Sequence, residues 1–244
     1  MNLRGKGALA LWNGIDPARR AEYDLWHTRE HVPERVAVPG MIGARRYVRV
    51  AGPLPEYLTL YDMADTHVLS SEAYLRLLNN PTPWSKSMRP SFRGFMRLCC
   101  RRELSIGGGL GAALGAAVLA DGPALSSSAF LAAVRGLTSQ PGIVAVHLLV
   151  REEAVPDVPF TIGGDAPDFP RGGALLLEGY DDDALAACFS AVKAALEALA
   201  GTASGLTSYR LACAVDRDSL ERLTPVKAPA SVLHPETGTL SSRA

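Results

Sequence analysis

His27 and His31 stand four residues apart within Tyr-Asp-Leu-Trp-His-Thr-Arg-Glu-His-Val-Pro-Glu-Arg, residues 23–35. No other stretch of the 244-residue chain is so dense in side chains able to do chemistry. On a helix, positions i and i+4 share a face, so the two imidazoles are neighbours. Imidazole titrates near neutral pH, which suits the pair to general acid–base work. A helix end would favour the cation. The same spacing also serves metal sites. Here the order is His-Thr-Arg-Glu-His, which lacks the glutamate of a zinc-protease motif, and a third ligand would have to come from Glu30 or Glu34. A purely structural pair, His31 capping the helix and His27 on the surface, is the third reading.

Further on, Pro39-Gly40 marks a turn and Arg45-Arg46-Tyr47 follows on a strand. A guanidinium matches an oxyanion in fork geometry, so Arg45, Arg46 and Arg49 suit a carboxylate or an enolate. Salt bridges to Glu30, Glu34 or Asp62 would use the same residues. Tyr47, Tyr57 and Tyr61 are hydrogen-bond donors for a bound ring, or simply core strand aromatics. Trp26 reads as packing under the sheet more than as stacking on a ligand. Trp84 lies in Asn-Pro-Thr-Pro-Trp-Ser-Lys-Ser, an insertion that reads as a loop or short turn and as a lid. His67 and His147 are weaker candidates, and His234 sits in the tail.

These residues need elements to hold them. Residues 7–13 read as a strand. Asp16-Pro17 opens a helix with an acidic N-cap and proline at its first position. Pro33 is expected to end or kink that helix near residue 31, with one further turn to about 37. Residues 41–50 alternate as a strand, and so do 56–63. Residues 64–79 carry an apolar helical stripe. Residues 92–102 form the last strand of the first half. The order is β-α-β-β-α-β, the ferredoxin-like one.

The second half repeats it. Gly-Ala-Ala-Leu-Gly-Ala at 111–116 echoes Gly-Ala-Leu-Ala-Leu-Trp at 7–12. Pro141-Gly142 echoes Pro39-Gly40, and Arg210-Leu211-Ala212-Cys213 echoes Arg97-Leu98-Cys99-Cys100. Between these marks lie a helix (123–138), two strands (143–151 and 173–180) and a helix (182–200), with a Pro-, Gly- and Asp-rich loop at 153–170. The expected organisation is a first repeat over 1–103, a second over 104–217 and an arm or disordered tail over 218–244.

The strand faces separate the halves. If apolar faces meet the helices, the other side of the first half carries Trp12, Arg45, Tyr47, Arg49, Tyr57, Thr59, Tyr61, Phe95 and Arg97. The second half offers Ile143, Ala145, His147, Leu149 and Arg151, then Leu175 and Leu177 or their neighbours, a blander set. Its first helix has no histidine. One working half and one mainly structural half are expected.

The formal net charge is zero, so no basic footprint for nucleic acid exists. The four cysteines make no CxxC and no zinc spacing, and read as buried thiols of a reducing, cytoplasmic compartment. Residues 104–120 carry no charge, but they are short and glycine-rich for a membrane span. Gly107-x-Gly109-x-x-Ala112 lacks the strand-turn-helix context of a dinucleotide fingerprint.

The element order, the duplication and the run Trp26-His27-x-x-Glu30-His31-x-Pro33-Glu34 with Pro39-Gly40 and Arg45-Arg46-Tyr47 resemble the dimeric α/β-barrel superfamily, especially its EthD-like branch. The resemblance implies an α+β fold. Tandem duplicated ferredoxin-like units with antiparallel sheets would build, within one chain, the barrel that such proteins make from two. It implies a small-molecule enzyme without a tightly bound cofactor, acting on a small aromatic or cyclic acid, ketone or lactone. His31 would move the proton, assisted by His27, with Arg45 or Arg46 and Tyr47 on the oxyanion. Trp12, Trp26, Arg49, Tyr57, Tyr61, Trp84, Phe95 and Arg97 would line the substrate site. Isomerases, cyclases, decarboxylases and monooxygenases share that chemistry. A non-catalytic or stress-associated binder, and a haem or metal protein using His27 or His31, are the alternatives. A homo-oligomer is compatible with all of them.

Overall fold

The structure, a computed structural model, describes residues 3–152, 167–197 and 203–222. Most of the 153–170 loop, the end of the 182–200 helix and nearly all of the expected tail lie outside the described residues.

Eight strands close into one barrel. The first half contributes β1 (Gly7–Ile15), β2 (Met41–Ala51), β3 (Tyr57–Met63) and β4 (Phe92–Gly107). The second contributes β5 (Ala113–Leu119), β6 (Ile143–Arg151), β7 (Gly173–Gly179) and β8 (Thr207–Asp216). Around the barrel the order is β1-β3-β2-β8-β5-β7-β6-β4, with every pairing antiparallel. The halves join where β2 meets β8 and where β4 meets β6. Closure removes the free edges that a four-stranded sheet would expose. The expected α+β architecture, two βαββαβ orders sharing one barrel, is therefore what the chain adopts.

The helices lie outside the barrel. In the first half these are α1 (Arg20–Trp26), a wide π turn (His27–His31), α2 (Val32–Val36), α3 (Glu72–Asn79) and α4 (Pro83–Met88). In the second they are α5 (Ser128–Gly136) and α6 (Asp182–Glu197). Among the described residues no helix is long and apolar enough to cross a membrane.

Of two local expectations, one is met in its second form and one changes. The first helix is distorted before Pro33 and takes the expected further turn, running on to Val36. Pro33 has no N–H to give to the carbonyl four residues back, and the chain accommodates its ring by widening the turn before it. Residues 83–88 are a true helix, with Thr82 as N-cap accepting from the Ser85 N–H and proline at the first position. Asp16 caps as expected, accepting from the Ala18 N–H.

The barrel interior is packed by Trp12, Tyr47, Leu58, Leu60, Leu98, Leu149, Leu176 and Tyr209, among others. This corrects part of the face assignment. Trp12, Arg45 and Tyr47 do belong to the barrel side. On β3, however, Leu58 and Leu60 point inward, so Tyr57, Thr59 and Tyr61 lie under the helices. On β4, Met96 and Leu98 fill the barrel, while Phe95 and Arg97 face the helix side. On β7 it is Ala174, Leu176 and Glu178 that turn inward, and Leu175 and Leu177 pack under α5 and α6. A closed barrel buries both faces of a strand, so the more apolar face is not necessarily the helix-facing one.

The two Pro-Gly turns have matching geometry. Gly40 has φ +88° and Gly142 has φ +82°. A methyl group on Gly40 would come within 2.5 Å of Val68 Cγ2, and one on Gly142 within 2.5 Å of Ala184 Cβ. Gly40→Ala is expected to lower stability by about 1–3 kcal/mol. Gly136→Ala, at a helical position with nothing near the added carbon, is expected to raise it by roughly 0.5–1 kcal/mol. Urea denaturation of the two variants checks both signs.

Candidate functional site

The π turn presents His27 and His31 over the outer face of the first half's sheet. Their ring centroids are 5.6 Å apart. A partly open cavity of about 70 Å³ lies beneath them. Its walls come from β1 (Leu11, Asn13), β3 (Thr59), β4 (Phe92, Phe95, Arg97), the helices (Trp26, Arg35, Tyr74, Leu78), α4 (Ser85) and the turn that follows it (Arg89). A smaller lobe of about 20 Å³ adjoins it, sharing Leu11, His31, Arg35 and Tyr74 and adding Tyr61.

His27 is 3% exposed. Its Nε2 shares a hydrogen bond with Thr59 Oγ1 at 3.2 Å, and its Nδ1 is buried without a protein partner. His31 Nδ1 is likewise buried and unpartnered. The Trp26 ring lies 4.4 Å from the His31 ring, and Trp26 itself is held by its N–H to Ser85 Oγ at 3.3 Å. Glu30 accepts from Thr82 Oγ1 at 2.6 Å and from Ser85 Oγ at 3.4 Å, so it ties α4 to the π turn.

Burial is the main force on both imidazoles and pushes each well below its ordinary titration range. Arg46 adds to the effect on His27; Arg35, His27 and Arg89 add to it on His31. Both rings are therefore neutral at physiological pH. This replaces the expectation of a helix end favouring the cation. His31 sits inside a continuing helix, and buried surroundings with nearby guanidinium charge outweigh any end effect.

The other expected residues divide. His27, His31, Trp26, Phe95 and Arg97 line the main cavity, and Tyr61 lines its inner lobe. Arg46 is on the helix side but engaged: it pairs with Asp24 at 2.5 Å and its guanidinium lies against the adjoining Tyr23 and Tyr57 rings at 4.8 and 4.7 Å. Tyr57 is spent in that stack and does not line the cavity. Arg45 and Tyr47 are on the opposite face of β2, inside the barrel. There Arg45 pairs with Glu178 at 2.6 Å, and the Tyr47 hydroxyl donates to the same carboxylate at 3.2 Å. Successive strand residues face opposite ways, which is why Arg45 and Arg46 cannot serve one site. Trp12 is also barrel core. Arg49 donates to the Leu54 carbonyl at 2.6 Å. Trp84 is 1% exposed and donates to Glu22 at 3.0 Å, so it anchors α4 instead of forming a mobile lid.

Of the weaker histidines, His67 is exposed beside Asp65. His147 is fully buried on β6, bonded through Nδ1 to Ser105 Oγ at 2.8 Å, and pushed down to about 3 by burial and by Arg45 and Arg102. Sequence reasoning missed Arg35, Arg89, Ser85 and Asn13 in the pocket. It also missed Glu178, a lone acid inside the apolar run Gly-Ala-Leu-Leu-Leu-Glu-Gly, which was a usable signal. Among the described residues no three His, Cys, Asp or Glu are grouped to hold a metal ion.

Closed barrel and helix placement together define the class: the fold is the ferredoxin-like dimeric α/β barrel, with both halves in one chain. No protein-family model matches the sequence, and no curated protein matches it. Solved structures do match in fold. An anthrone oxidase-like protein superposes with TM-score 0.61 at 12% identity, covering 89% of this chain and 96% of that one. A candidate monooxygenase from Fusobacterium nucleatum gives 0.55 at 11% identity, covering 87% and 95%. A heme-binding protein from Thermus thermophilus gives 0.50 at 12% identity, covering 91% and 96%.

Proposed function

We propose that the chain is a small-molecule enzyme of the EthD-like kind, built by tandem duplication, in which His31 takes a proton from a cyclic or aromatic substrate. The single observation that carries this reading is the pair of neutral imidazoles, His27 buried and His31 partly so, whose buried Nδ1 atoms lack partners among the described residues in one partly open cavity. A neutral imidazole is a competent base; a protonated one is not. His27, fixed by Thr59, stands beside it as the assisting group. The second half has no such pair: α5 carries no histidine, and its helix layer is filled by Leu125, Phe130, Val134, Leu148, Leu175 and Leu185.

The oxyanion role passes from Arg45 and Tyr47, which Glu178 occupies, to Arg89, which lines the main cavity and whose charge His31 feels. Removing a proton next to a carbonyl yields an enolate, and nearby positive charge lowers the cost of that anion. Isomerisation, cyclisation, decarboxylation and reaction with dioxygen all start from it. The monooxygenase and anthrone oxidase-like descriptions of the fold's neighbours suit such a step. The residues do not fit a haem. The indole of Trp26 covers one face of His31 at 4.4 Å, and a cavity of about 70 Å³ leaves no room for a macrocycle.

The test is deuterium exchange at the acidic C–H of cyclic ketones, lactones and aromatic acids in D2O. His31→Ala is expected to slow catalysed exchange by about 10²–10⁴-fold while ligand binding and folding persist. Because both imidazoles are held neutral, the rate should be flat around neutral pH. It should fall only as pH drops through the lowered imidazole range, well below 6.5. Ligands that bind without exchange would make this pocket a binding module, and exchange that survives His31→Ala would remove His31 as the base.

A further inference from the structure

We propose that the inner lobe of this pocket is a subsite for a carboxylate carried by the ligand. The inference rests on the reading above for what the outer lobe does, but its binding chemistry stands separately. Two polar groups around the inner lobe are buried and unpaired. Arg35 is 7% exposed, and its Nη1 has no hydrogen-bond partner. Tyr61 is 1% exposed, and its hydroxyl has none either. Leaving such groups unmatched in a folded interior is costly, and a permanently charged guanidinium is the costlier of the two.

The lobe's chemistry selects the occupant. Among the described residues no aspartate or glutamate lines either lobe. Half-buried Glu34 is the carboxylate that senses Arg35, and it precedes it in the helix without lining the cavity. Burial raises the Tyr61 hydroxyl far above its usual range, so it remains a neutral donor. Arg35 lies over the Tyr74 ring, its Cζ 5.8 Å from the centroid and within cation–π reach, while its buried Nη1 stays available to an acceptor. The lobe's volume of about 20 Å³ holds roughly a water-sized group, which suits a carboxylate head and excludes a ring. A neutral carbonyl could accept from both donors but would leave the guanidinium charge uncompensated. A carboxylate satisfies both at once. His31 lines both lobes, so a ligand anchored by its carboxylate places its ring beside the base.

The experiment is binding of acetate and benzoate against the matched amides acetamide and benzamide, by NMR titration of the full chain. Carboxylates are expected to bind at least about tenfold more tightly than their amides. Arg35→Met should abolish that preference and leave amide affinity unchanged. Should Arg35→Met fold poorly by circular dichroism, Tyr61→Phe supplies the second reading, with a severalfold loss for carboxylates only. His27→Gln, expected to impair exchange, should keep the preference intact, so loss of catalysis and loss of the subsite are distinguishable. Equal binding of acid and amide, no binding of either, or a preference that survives Arg35→Met would each overturn the proposal. In those cases the lobe is a water site.

Discussion

Glu178→Ala is expected to lower the unfolding free energy by about 3–5 kcal/mol. Glu178 is fully buried, and its carboxylate receives Arg45 at 2.6 Å, the Tyr47 hydroxyl at 3.2 Å and the Gly111 N–H at 3.1 Å. Arg45 comes from β2 and Glu178 from β7, so the pair also ties the halves together across the barrel. Removing the acid leaves a guanidinium uncompensated in an apolar interior. The loss would consume much of a typical domain's roughly 5–15 kcal/mol. Arg45→Met combined with Glu178→Leu is expected to recover most of it, because two apolar side chains replace a costly ion pair. Urea denaturation of the three proteins decides the matter. A cost below about 1 kcal/mol for Glu178→Ala would mean that water reaches the barrel interior and screens Arg45.

Mild acid is expected to destabilise the fold from about pH 6.5 downward. His27, His31 and His147 are held neutral, chiefly by burial, with His147 pushed down to about 3. In the unfolded chain each takes up a proton near pH 6.5, whereas in the native state it does not. The unfolded state therefore binds more protons below that pH, and stability falls as pH falls. Each residue contributes a slope of about 1.4 kcal/mol per pH unit. Glu178 acts in the opposite direction: burial raises its carboxyl, so its contribution is lost as pH rises. The net loss between about pH 6.5 and 5 is expected to be about 2–4 kcal/mol. Denaturation midpoints at about pH 7.5, 6.5 and 5.0 measure it, and His27→Gln should flatten the profile by one proton's worth. A midpoint independent of pH across this range would contradict the buried neutral histidines.

Much of the architecture was legible because its signals are local. Asp16-Pro17 is a helix start by its own chemistry, and Pro39-Gly40 and Pro141-Gly142 mark turns whose glycines adopt positive φ. The repeated order of elements followed from such marks. The inward faces of β3 and β4 were not legible. Alternation tells which residues share a face, but a closed barrel buries both faces and leaves open which is inside. Tyr57, Thr59 and Tyr61 looked like a barrel lining and instead floor the helix layer. The histidine pair was found because two imidazoles at helical spacing are conspicuous. Arg35 was not, since one more charge after Pro33 looks like a solvated helix face. Only the tertiary packing of Tyr74 and Tyr61 around it buries it. The further turn past Pro33 was expected, but the π widening before it was not, since a π turn has no simple sequence mark.

The central claim is that the first half holds two uncharged imidazoles in a ligand cavity. The most direct measurement is a pH titration of the histidine ring signals by NMR in the intact chain, assigned with His27→Gln and His31→Gln. Both rings are expected to remain neutral throughout the physiological range and to begin protonating only well below about pH 6.5. Titration of His31 at or above about 6.5 would show a solvated, protonatable helix residue and would remove the base on which the proposed chemistry depends.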